Sequence, residues 1–232
     1  MSTNQSAKSF ITTVIALGAL VIMHAAVYWT GNMLEVAAYV VLAAFASTLK
    51  VRLPGIPGTF SANCLVTVLA IAHLTMAPFV VVSVACAMVQ SWWRAAKPPQ
   101  PVQVAFNAGV FAISAAASAW TYSSLERFAP TIPGLASLLI ASSVFFFINT
   151  GTVSIVMALV DGVSPLRIWR VWHVWSLPYY IVNVAMVVLV ISLVPTPVLF
   201  VIALLIPMML GPFAAYQWLV RKAAPAVVAQ VS

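Results

Sequence analysis

From residue 9 to residue 220 the sequence is a succession of apolar runs, most near the length that crosses a bilayer, broken only by short polar or proline-rich joints. A hydrocarbon core about 30 Å thick needs about 20 apolar residues in a helix. Inside it every backbone N–H and C=O must be paired within the protein, which leaves helices or a closed barrel. The runs are continuously apolar rather than alternating, so the barrel is excluded. Charged residues make up 6% of the 232 and hydrophobic ones 64%, against about 25% charged in an ordinary soluble domain. The chain therefore reads as one all-α, polytopic transmembrane bundle over residues 1–232.

Eight spans are expected, at about 9–29, 34–49, 59–75, 78–93, 102–121, 134–160, 175–194 and 198–220. Charge tests that count independently. With the N-terminus in the cytoplasm, Lys8, Lys50, Arg52, Arg94, Lys97, Arg167, Arg170, Arg221 and Lys222 fall on the cytoplasmic side, and of the ten basic residues Arg127 alone falls outside. This is the positive-inside pattern, with both termini cytoplasmic. The eight tryptophans lie near expected span ends, as residues of an interfacial belt do. The net charge of +7 is accounted for by these topology determinants, so no nucleic-acid partner is implied; the implied surroundings are a lipid bilayer. The apolar stretch after MSTNQSAKSF is too long for a signal peptide and reads as the first span. Val51–Gly58, with two prolines and two glycines, cannot be continuous helix.

Polar groups in the spans carry the chemistry, because each is costly in lipid and is expected to face the bundle interior. Asn63, Asn107, Asn149 and Asn183 all fall in the cytoplasmic half or near the midplane. Gln90 and Gln103 lie at the same end, and Thr150, Thr152 and Ser154 continue a polar stripe beside Asn149. Two readings fit. One is a polar pocket open toward one leaflet, with Asn63, Asn107, Asn149, Thr150, Asn183 and Gln90 as its ligand-binding residues. The other is interhelical hydrogen bonding, worth about 0.6 kcal/mol per contact. Asn63, Asn107 and Asn149 are expected to lie near one another. Phe60-Ser-Ala-Asn63 and Phe146-Phe-Ile-Asn149 share a Phe-x-x-Asn pattern, a hint of duplicated architecture.

No catalytic constellation is evident. His24, His73 and His173 sit at different depths, and Cys64 and Cys86 read as buried thiols, so neither a metal site nor a disulfide framework is implied. The three acids, Glu35, Glu126 and Asp161, fall at span ends. No intramembrane carboxylate is present to drive proton coupling or paired-aspartate proteolysis. Ala108, Ala112 and Ala116 recur every fourth residue, a face for close helix packing. No enzyme activity and no cofactor are expected.

Several stretches resemble a bacterial family. Leu49-Lys-Val-Arg-Leu-Pro-Gly-Ile-Pro-Gly-Thr-Phe-Ser-Ala-Asn63, Pro101-Val-Gln-Val-Ala-Phe-Asn107, Phe147-Ile-Asn-Thr150 with Ala158-Leu-Val-Asp-Gly162, and Trp175-Ser-Leu-Pro-Tyr-Tyr180 occur in order. They are similar to motifs of membrane-embedded N-terminal modules that precede diguanylate cyclase or HD-type phosphodiesterase domains, often in acidobacteria. The resemblance implies a membrane sensory or input role, and the leading reading is a non-enzymatic bundle of the bacterial inner membrane that binds a small or lipophilic ligand. No such catalytic domain follows Lys222 in this sequence, so output through a separate cytoplasmic signalling partner is expected. The alternative is a small-molecule transporter or a transporter's substrate-binding subunit, with a transport partner; a scaffold without ligand is a third.

Overall fold

The structure is a computed structural model that describes residues 5–51, 60–61, 63–93, 95, 98–174 and 177–193. The described residues form helices α1 (Gln5–Val27), α2 (Met33–Thr48), α3 (Asn63–His73), α4 (Met76–Trp92), α5 (Pro101–Phe128), α6 (Gly134–Asp161), α7 (Pro165–Trp172) and α8 (Leu177–Leu193). The fold is all-α apart from one two-residue ladder, in which β1 (Lys50–Val51) pairs antiparallel with β2 (Phe60–Ser61). Among the described residues three helices, α1, α5 and α6, are long and apolar enough to cross a membrane. The expected span 198–220 lies outside the described residues.

Side-chain pairs fix the direction of each helix. Phe10 meets Phe106, and Val14 packs with Phe106 and Val110, so α1 and α5 run parallel. Ser47 and Ala43 meet Cys86 while Gly31 abuts Pro78, so α2 and α4 run parallel. Asn107 meets Ser91, and Ser118 meets Ala141, so α5 is antiparallel to both α4 and α6. Tyr39 meets His73 while the start of α3 lies beside Cys86, so α3 is antiparallel to α2. Successive helices from α1 to α6 thus alternate in direction. One end of the bundle gathers Lys8, Lys50, Arg167 and Arg170, and the other gathers Glu35, Glu126 and Arg127.

Local chemistry sets the helix ends. Asn32 caps α2, its Oδ1 accepting from the N–H of Leu34 at 2.9 Å. Gln103 Oε1 accepts from the N–H of Gln100, and Pro101 takes the first position of α5, where its missing donor is harmless. Gly162 ends α6 with φ of 69°, a conformation that costs other residues strain.

The core is organised around α3. Leu65, Val66, Thr67, Val68, Leu69, Ala70 and Ile71 are all buried, the mark of a helix enclosed on every side. Helices α2, α4, α5, α6 and α8 all contact it. The outer surface is apolar in turn: Leu17, Leu20, Met23 and Val27 form an exposed stripe on α1, as lipid contact requires.

The spans read from sequence differ from the helices in three places. The third, expected from residue 59, begins as helix only at Asn63 because Phe60–Ser61 is in the ladder. The fifth continues beyond residue 121 to Phe128. The connector after the sixth holds α7, whose Arg167 and Arg170 kept it from reading as an apolar run. Helix α2 ends at Thr48, so the stretch after it is non-helical where described, at Lys50–Val51; residues 52–59 lie outside the described residues.

Candidate functional site

The amides enter the bundle in distinct settings. Asn63, the first residue of α3, is buried, and its Oδ1 accepts from Cys86 Sγ at 2.7 Å. Ser47 Oγ donates to the same sulfur at 3.7 Å. One polar knot thereby joins α2, α3 and α4. Asn107 Nδ2 donates to Ser91 Oγ at 3.1 Å, and Ser91 Oγ donates to the Ala87 carbonyl at 2.8 Å. Both asparagines therefore dock on α4, at Cys86 and at Ser91, about 7.5 Å apart along its axis.

Gln90 and Asn107 share a cleft of about 570 Å³ at the basic end, between α1, α4, α5 and α6. Ser91 and Gln103 add a hydroxyl and an amide. Ile11, Phe106, Val153, Val156, Met157 and Val160 form the apolar walls. Phe106 and Val156 belong to the small hydrophobic cluster centred on Val14 and Val110, so one wall of the cleft is packed and fixed. None of the described residues lining it is charged.

The remaining candidates do not line this cleft. Thr150 Oγ1 donates to the Phe146 carbonyl at 2.7 Å and accepts from Trp169 Nε1 at 3.0 Å. Trp169 stacks on Phe147 with ring centroids 5.8 Å apart, so this tryptophan fastens α7 to α6. Asn149, next to Thr150, is half-buried. Asn183 is buried on α8. Close by, Tyr180 OH donates to the Ser142 carbonyl at 3.0 Å, tying α8 to α6.

Sequence reasoning passed over Ser91 as a partner of Asn107. A serine can bond its own helix's carbonyl, and nothing in the sequence distinguishes one that also receives an amide from a neighbouring helix. It also passed over the close crossing of α1 and α5. A Cβ on Gly18 would collide with Gly109 Cα, and one on Gly109 would lie 2.9 Å from the Val14 carbonyl oxygen. A glycine in each apolar run was the available signal.

The described residues form a helical bundle with an apolar outer stripe and long apolar helices, the make-up of a membrane protein. The family model MASE9 matches residues 9–219, and the chain belongs to that family of membrane-associated sensor domains. No curated protein and no solved structure matches the chain.

Proposed function

We propose that this chain is a non-catalytic input module of the bacterial inner membrane, with eight spans and both termini in the cytoplasm, that senses a neutral amphipathic small molecule in the cleft of Gln90 and Asn107. The observation that carries the reading is the character of that cleft. Three amides and a hydroxyl are grouped on an apolar floor, with no charge among the described lining residues. Such a site holds an uncharged head that donates and accepts hydrogen bonds, and it seats an apolar body against Phe106, Val153 and Val156. Among the described lining residues a charged ligand would lose its hydration without meeting a counter-ion. Membership of a membrane sensor family supports the sensory role, and the basic residues gathered at this end support its cytoplasmic orientation. Output passes to a separate cytoplasmic signalling partner.

The test is to extract the full chain directly into lipid nanodiscs and identify the retained small molecules by mass spectrometry. The expected result is a neutral amphipathic compound held by the native chain and lost from Asn107→Leu, while Thr152→Ala retains it. Equal retention by Asn107→Leu and Gln90→Leu would overturn the assignment of the cleft.

A further inference from the structure

A second cleft, of about 550 Å³, opens at the other end of the bundle, where the end of α3, the start of α4 and the last turns of α5 meet. Met76 lines this one and Ser91 the first, a separation of about 22 Å along α4. Its chemistry is different. In place of neutral amides it presents His73, Thr75, Trp120, Tyr122, Glu126 and Arg127.

Acids are scarce in this chain, three in all, and two of them serve this end. Glu126 is in the cleft wall, one helical turn after Tyr122, which lines it too. Its Oε1 also lies 4.0 Å from the place a Cβ would take on Gly134, so the carboxylate is positioned against the first turn of α6. Glu35, in the first turn of α2, lies at the same end of the bundle. The Tyr39 hydroxyl and His73 Nδ1 are 3.2 Å apart, which holds the imidazole in place. Arg127, the one described cation in the wall, sets its guanidinium over the Phe128 ring, 6.0 Å from the centroid. Trp120 is 69% exposed and leaves its indole available.

We propose that this cleft binds a small organic cation, an ammonium group carried on an apolar or aromatic body, with Glu126 as counter-ion and the Trp120 and Tyr122 rings as walls. A carboxylate and electron-rich ring faces are what an ammonium ion recognises. An anion would meet Glu126 at the wall, while Arg127, the cation beside it, is turned onto the Phe128 ring. The volume suits a molecule of one ring and a short chain. This reading does not depend on the basic-end cleft, and the two sites would take ligands of different charge.

The experiment uses the full chain in nanodiscs and three probes of one shape: phenethylamine as the cation, 2-phenylethanol as its neutral counterpart, and phenylacetate as the anion. Binding is read by calorimetry, with empty nanodiscs subtracted to remove partition into lipid. Phenethylamine is expected to bind saturably, at least about tenfold more tightly than 2-phenylethanol, and phenylacetate not at all. Glu126→Gln should remove that advantage. Trp120→Ala, at an exposed position where folding is not at stake, should weaken the amine by a similar factor. Asn107→Leu should leave it unchanged. Equal affinity for amine and alcohol overturns the proposal, as does an unchanged amine affinity in folded Glu126→Gln. If Glu126→Gln does not fold, unchanged amine affinity in Trp120→Ala overturns it.

Discussion

Asn63 and Asn107 have the same side chain at similar depth, yet the structure gives them different work. Asn63 sits in a closed knot with Cys86 and Ser47, and Asn107 faces an open cleft. Asn63→Ala should cost about 1 kcal/mol of stability, the scale of an interhelical hydrogen bond in a membrane bundle, and leave ligand retention intact; unfolding of the chain in mixed micelles by increasing denaturing detergent measures it. That buried amides would matter was legible, because an amide in lipid is expensive. Which of them faces a cavity was not, since this depends on the partner, Cys86 or Ser91, supplied by another helix. His173 offers a second measurement. It caps the C-terminus of α7, and burial pushes its imidazole down from 6.5 to about 4. Between those values undocked α7 binds a proton that docked α7 refuses, so docking is at full strength above pH 6.5 and weakens as pH falls toward 4. Hydrogen exchange over residues 165–173, corrected for intrinsic rates, should be faster at pH 5 than at pH 7. His173→Gln should abolish that difference.

At the scale of elements, apolar run length located α1, α2, α4, α5, α6 and α8 to within several residues, because lipid imposes that length directly. The method failed where length is set by something else. Helix α7 is eight residues with two arginines, and it is held by Trp169 on Phe147 and Thr150. Trp169→Ala should free it, seen as protease cleavage after Arg167 or Arg170 at concentrations that leave the native chain whole. The alanine face on α5 was legible as a packing signal, and of Ala108, Ala112 and Ala116 the middle one is fully buried and the other two half-buried. Backbone also comes close on that helix at Gly109, against Gly18. Because backbone meets backbone there, no rotamer change can relieve an added side chain. Gly18→Val should destabilise the bundle by about 1–3 kcal/mol, while Leu17→Val, on the exposed face beside it, should be nearly neutral in the same detergent titration.

Across the whole molecule, the two clefts share α4 and α5, each contributing one end to each site. Basic residues collect at one end of the bundle and acids largely at the other, an arrangement legible from charge alone once the spans were placed. The composition of each cleft was not legible, because residues such as Ile11, Gln90 and Val156 are brought together only by packing. The expected orientation has a direct check: reporter fusions after Ser124 and after Gly162 should report opposite sides, the second cytoplasmic.

Helix α3 has a consequence for how the protein can vary. A helix on the rim of a membrane bundle gives about half its circumference to lipid, where one aliphatic residue serves as well as another. Helix α3 has no such half. All seven residues from Leu65 to Ile71 are enclosed, and each answers to a neighbour of fixed shape. In a saturating mutational scan of this chain, the rim helices should show a rhythm of tolerance about every 3.6 positions, while those seven residues should form one unbroken block of intolerance.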